Sequence, residues 1–137
     1  CDTLYERYRD KGVDKIVGID ARGFVFGAVL AYQLGVGFIP VRKKGKLPWK
    51  TIEETYTLEY GQDTVEIHQD AIEKGEKVVV VDDLIATGGT IGATVKLVEK
   101  LGADIIECAF IVELPDLNGR EQIPGCPVFA ITEFEGE

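Results

Sequence analysis

Histidine occurs once and cysteine only three times among the 137 residues. Cys1, Cys108 and Cys126 are an odd number without metal-ligand spacing, so they are expected as reduced thiols rather than as staples of the fold. Cys108 lies in an apolar stretch and is read as core, and His68, with no partner at ligand spacing, is read as structural. Long hydrophobic runs are missing too. Gly or a charge breaks each one short of a membrane span, and no signal-peptide pattern precedes them, which makes the cytoplasm the default location. Basic residues are outnumbered 15 to 24, and a net charge of −9 argues against general nucleic-acid binding, which needs a basic face. There is no GxxxxGK[ST], so a P-loop is excluded. Near Gly35-Val36-Gly37, Pro40 stands where the third glycine of a dinucleotide-binding turn belongs. Neither a repeat nor a Pro/Ser-rich linker divides the chain, and 45% hydrophobic content can bury a substantial core, so a single domain over residues 1–137 is expected.

What is present centres on Val78-Val79-Val80-Val81-Asp82-Asp83-Leu84-Ile85-Ala86-Thr87-Gly88-Gly89-Thr90. The valines are β-branched and apolar on both faces, as suits a parallel strand covered by helices on both sides. Ala86 to Thr90 offers small side chains, so successive backbone N–H groups can close around a phosphate, and the following helix adds its positive end. Asp82 and Asp83 would repel that phosphate if they faced it. Accepting hydrogen bonds from nearby hydroxyls is the alternative, and it points to a phosphorylated sugar.

The coarse element order alternates. Helices are expected over Thr3–Lys11, Phe24–Leu34 and Thr90–Leu101, the second apolar nearly all round and the third with Ile91, Val95, Val98 and Leu101 on one inward stripe, ended by Gly102. Strands are expected over Asp14–Asp20, Val36–Val41, Val78–Val81, Ile105–Val112 and Pro127–Ile131, the last at an edge. A hairpin arm pairs Thr55–Leu58 with Thr64–His68 across the loop Glu59-Tyr60-Gly61-Gln62-Asp63. The expected product is an α/β fold: a mostly parallel twisted sheet with helices on both faces and a flexible hairpin loop. Between Arg42 and Lys50 stand Arg42, Lys43, Lys44, Lys46 and Lys50 with no acid. A basic loop after a parallel strand sits on the same sheet edge as the acid pair, where a second anion would need neutralising.

The Val78–Thr90 string resembles the phosphoribosyl pyrophosphate (PRPP) signature of type I phosphoribosyltransferases, in the version of their adenine-specific branch. Three further segments match in order: Asp20-Ala21-Arg22-Gly23-Phe24, Val41-Arg42-Lys43-Lys44-Gly45-Lys46-Leu47-Pro48 and Tyr56-Thr57-Leu58-Glu59-Tyr60-Gly61. The resemblance implies transfer of the 5-phosphoribosyl group from PRPP to adenine, giving AMP and pyrophosphate in purine salvage. It assigns the ribose hydroxyls to Asp82 and Asp83, and the 5′-phosphate to Ala86, Thr87, Gly88, Gly89 and Thr90. Pyrophosphate falls to Arg42, Lys43 and Lys46, and the purine pocket to Arg22. Glu59 is the catalytic residue, handling a proton at purine N7, with Tyr60 packed beside it. Mg²⁺ is implied as the cofactor, arriving on PRPP and near Asp82 and Asp83, and a cis peptide is implied at Asp20–Ala21. A homodimer is implied as well.

One departure stands out. The resemblance begins only after an N-terminal segment that covers the base in the family, so this sequence reads as lacking that segment. Two other readings compete: a relative acting on a 6-oxopurine or another base such as orotate, and a PRPP-binding regulator. The acidic charge and the lack of a helix-turn-helix segment count against the regulator. The Ala-Arg-Gly-Phe and Leu-Glu-Tyr-Gly signatures count against the other bases.

Overall fold

The computed structural model describes residues 2–20, 22–43, 51–58, 61–85, 88–114 and 118–133. Strands β1 (Lys15–Ile19), β2 (Gly37–Lys43), β3 (Thr51–Leu58), β4 (Gly61–His68), β5 (Lys77–Ile85), β6 (Asp104–Glu113) and β7 (Val128–Glu133) form one sheet in the order β3-β4-β2-β1-β5-β6-β7. The β2-β1-β5-β6-β7 ladder is parallel throughout. The β3–β4 hairpin is antiparallel and joins that ladder through two pairs, Arg42↔Glu66 and Lys43↔Val65.

Alternation along β5 explains the two-sided core. Val78 and Val80 point with Val17, Cys108 and Phe110 toward Ile91, Val95, Leu97 and Val98 of α3 (Gly89–Lys100). Val79 and Val81 point the other way, with Ile16 and Ala109, onto Leu4 and Tyr8 of α1 (Asp2–Tyr8) and Leu30 and Ala31 of α2 (Arg22–Leu34). All four valines are fully buried, which is what a strand covered on both faces demands. A register shift in the β5–β6 ladder pairs Val78 with Ile105 but Val79 with Glu107. There Glu107 accepts from Arg7 Nε at 2.6 Å, Arg7 Nη2 at 2.9 Å and Tyr8 Oη at 2.6 Å, and so fastens α1 to the sheet.

The α2 helix packs against the sheet as expected, through Gly23, Gly27, Leu30 and Ala31, and its opposite face leaves Val25, Val29 and Tyr32 63%, 40% and 87% exposed. One expectation needs correction. The hairpin is longer and its connection shorter than the five-residue loop expected. Cross-strand partners run from Thr51↔His68 through Thr55↔Thr64 to Leu58↔Gly61, so Gly61, Gln62 and Asp63 extend the ladder instead of turning it. Their turn-forming character is overridden by eight cross-strand pairs. The other elements differ from expectation by one to four residues at their ends.

Cys108 and Cys126 are free thiols whose sulfurs lie 3.3 Å apart. Cys108 is buried and Cys126 half-buried. The contact holds the Cys126 thiol below its ordinary range, while the same contact and burial push Cys108 up. Since the thiolate is the nucleophile, iodoacetamide at neutral pH should alkylate Cys126 well before Cys108. Peptide mass mapping over time checks this, and equal labelling rates would contradict it.

Candidate active site

The acid pair does not terminate its strand. The expected boundary at Val81 is wrong because the ladder continues, Asp82↔Phe110 and Leu84↔Val112, so both carboxylates sit within β5. Both acids border one cleft. Asp82 lines both a cleft of about 460 Å³ and a smaller recess of about 130 Å³ at the start of α3. Asp83 lines the cleft and accepts from Arg22 Nη1 at 3.1 Å. The Asp83 N–H donates to Asp82 Oδ1 at 2.8 Å. Gly23 lets α2 approach this point closely: a Cβ there would stand 2.7 Å from the Val81 carbonyl oxygen and 3.2 Å from Asp82 Oδ1.

Burial pushes the Asp82 carboxyl up to about 7, and its neighbour Asp83 adds to the rise. The Asp83 N–H and the Arg22 charge oppose it. Asp82 is thus poised to exchange a proton near neutrality, as perturbed groups in clefts often are.

The recess is lined by Asp82, Leu84, Ile85, Gly88, Gly89, Thr90 and Ile91. Gly88 is the N-cap of α3 at φ 87°, in the left-handed region that favours glycine, and no side chain caps the helix. A helix start without a side-chain cap, beside a recess, is a ready anion site.

Across the cleft, β2 delivers Arg42 and Lys43 at its carboxyl end. Arg42 Nε donates to Asp20 Oδ2 at 3.0 Å, and its guanidinium lies 5.9 Å from the centre of the Phe24 ring. The structure therefore brings together Arg22, Arg42, Lys43, Asp82, Asp83 and Thr90 around one cleft, with Gly88 and Gly89 in the adjoining recess. Glu59, Tyr60, Ala86, Thr87, Lys44, Lys46, Lys50 and the Asp20–Ala21 peptide lie outside the described residues. Asp20, which sequence reasoning left without a role of its own, lines the cleft and engages Arg42. The available signal was its place at the carboxyl end of a parallel strand. Among the described residues no cluster of three or more His, Cys, Asp or Glu could hold a metal ion.

Comparison with known proteins bears on what this cleft does. The phosphoribosyl transferase domain profile matches residues 2–133. The adenine phosphoribosyltransferase of Desulfosudis oleivorans is 67% identical over 136 residues, covering 99% of this chain and 79% of the relative. The crystal structure of adenine phosphoribosyltransferase from Thermoanaerobacter pseudethanolicus superimposes with a TM-score of 0.93 at 50% identity, covering 97% of this chain and 77% of that one. The Saccharomyces cerevisiae enzyme, solved with an imino-altritol bisphosphate and adenine, gives 0.88 at 48% identity, covering 94% and 73%.

Proposed function

The chain belongs to the adenine phosphoribosyltransferase family, and from that premise we propose how its residues carry the family's reaction, transfer of the 5-phosphoribosyl group of PRPP to adenine with formation of AMP and pyrophosphate. The observation that carries the assignment of roles is the shared edge: the recess at Gly88–Thr90, the acids of β5 and the cations of β2 all border one opening. The 5′-phosphate rests on the turn from Ala86 to Thr90, where N–H groups and the start of α3 receive it. Asp82 and Asp83 accept from the ribose 2′- and 3′-hydroxyls, which fixes the sugar at its other end. Between these anchors C1 loses pyrophosphate while the base nitrogen attacks. Negative charge grows on the departing oxygens, where Arg42, Lys43 and Lys46 neutralise it.

Glu59 offers or takes a proton at purine N7 as N9 bonds to C1, and Arg22 borders the base. The hard oxygens of Asp82 and Asp83 fit a divalent cation that keeps most of its waters, as Mg²⁺ does. When bound, such an ion supplies charge neutralisation to the pyrophosphate. We extend the proposal to a homodimer in the cytoplasm, supported by the apolar face of α2 around Val25, Val29 and Tyr32 and by the two free thiols.

Pyrophosphate release from PRPP, with adenine, hypoxanthine, guanine and xanthine offered in parallel, tests the reading. Adenine should be preferred, and Glu59→Gln should lose at least about tenfold in turnover, equivalent to about 1.4 kcal/mol of barrier. Preference for another base sinks the acceptor assignment, and a smaller loss removes Glu59 from the chemistry.

A further inference from the structure

Ile85 and Gly88, on either side of Ala86 and Thr87 in the sequence, are both contacted by residues that the reaction does not use. Ile85 stands opposite Glu113 in the β5–β6 ladder, and the Leu114 N–H donates to the Ile85 carbonyl at 2.9 Å. The 3-10 turn Gly119–Gln122 lies flush on Gly88: a Cβ on Gly88 would meet the Gly119 carbonyl oxygen, and Gln122 Cγ at 2.8 Å. One segment thus touches both Ile85 and Gly88.

What ties that segment to itself is a two-pronged ion pair. Arg120 Nε donates to Glu113 Oε2 at 2.7 Å and Arg120 Nη2 donates to Glu113 Oε1 at 2.6 Å. The Glu113 side chain is only 6% exposed, whereas that of Arg120 is 50% exposed. A carboxylate so deeply buried is tolerated when a fork of parallel hydrogen bonds satisfies it. The fork closes a bracket with Ile85 against one arm and Gly88 against the other. Ile123, buried in the core, anchors the bracket where the 3-10 turn ends.

We propose that Glu113 and Arg120 are positioning residues for the 5′-phosphate, fixing the places of Ile85 and of Gly88 at the start of α3 by clamping the residues that back them. The inference rests on the placement of the phosphate on the turn from Ala86 to Thr90. Neither residue touches the reacting atoms. Opening the fork therefore loosens phosphate capture without altering the base pocket.

The test compares wild type with Arg120→Gln, Arg120→Lys and Glu113→Gln, using Arg9→Gln on the distant α1 end as a control. Steady-state kinetics should show a KM for PRPP raised about tenfold in Arg120→Gln and Glu113→Gln, with KM for adenine and kcat changed less than about threefold. Arg120→Lys keeps the charge but loses the fork, and should recover only part of the loss. In parallel, ribose 5-phosphate is titrated while the amide resonances of Gly88, Gly89 and Thr90 are followed. If the wild-type amides do not respond, the phosphate placement itself fails and the inference falls with it. If they respond and the Arg120→Gln affinity is unchanged, the placement stands and the clamp is overturned. Equal rises in both KM values, or a fall in kcat alone, also overturn it. Should Arg120→Gln not fold, the same comparisons are read from Arg120→Lys and Glu113→Gln.

Discussion

Replacing Asp82 and Asp83 together by asparagine should lower kcat/KM for PRPP by about 10²- to 10⁴-fold. In the proposed site each carboxylate would contribute charge-assisted hydrogen bonds to the ribose hydroxyls worth roughly 1.5–3 kcal/mol, and asparagine retains an acceptor oxygen but neither the charge nor the affinity for a cation. Stability should move the opposite way. The Asp82 carboxyl is raised from the ordinary carboxylate range to about 7 by burial, so the folded protein binds more protons than the unfolded chain between those limits. Unfolding free energy contributed by this group is therefore fully present at low pH, falls as pH rises through that window, and levels off above about 7. An asparagine in place of Asp82 carries no such penalty. The melting temperature of Asp82→Asn relative to wild type should thus rise from pH 4 to 7 and then stay constant, as thermal melts at five or six pH values would show. A flat difference across that range would mean that Asp82 is not buried as a charge, and a kcat/KM loss below tenfold would remove the pair from ribose binding.

Gly88→Ala should be nearly as damaging, for a different reason. At φ 87° an L-residue strains the backbone by about 1–2 kcal/mol. The new methyl would also clash with the Gly119 carbonyl oxygen, a backbone atom that cannot rotate away. Either the turn at the start of α3 opens or the Gly119–Gln122 segment lifts off, and both displace the N–H groups of the recess. Binding of PRPP should fall at least about a hundredfold, with a melting temperature several degrees lower. Gly92→Ala serves as the comparison, because its added methyl would lie 3.4 Å from Gln122, at ordinary contact distance. Similar effects from the two substitutions would argue that loss of glycine flexibility, rather than this close approach, sets the result.

The parallel core was legible because its signal is local. Four valines in a row can only be a strand buried on both faces, and Ile91, Val95 and Val98 at helical spacing can only be one face of a helix; both lie where expected. The Val81 boundary misled because hydrophobicity ends there while hydrogen bonding does not. The partner residues Phe110 and Val112, far off in the sequence, decide where β5 stops. In the hairpin, Thr64 to His68 alternates polar with apolar, whereas Thr51 to Glu54 and Gly61 to Asp63 do not, so the length of the ladder was not legible. The gathering of Arg22, Arg42, Asp82 and Asp83 was legible from motif order and from the rule that parallel strands present ligands at one edge. Their ion pairs, Arg22 with Asp83 and Arg42 with Asp20, were not. Nor was the Glu113–Arg120 fork, since nothing in a one-dimensional string says which of 24 acids meets which of 15 cations.

Burial of Asp82 also bears on how a polyanion reaches a chain of net charge −9. Among the described residues of the cleft, Arg22 and Arg42 are engaged by acids. By disfavouring the ionised form of Asp82, burial leaves the cleft less repulsive to an approaching anion than its formal charge implies.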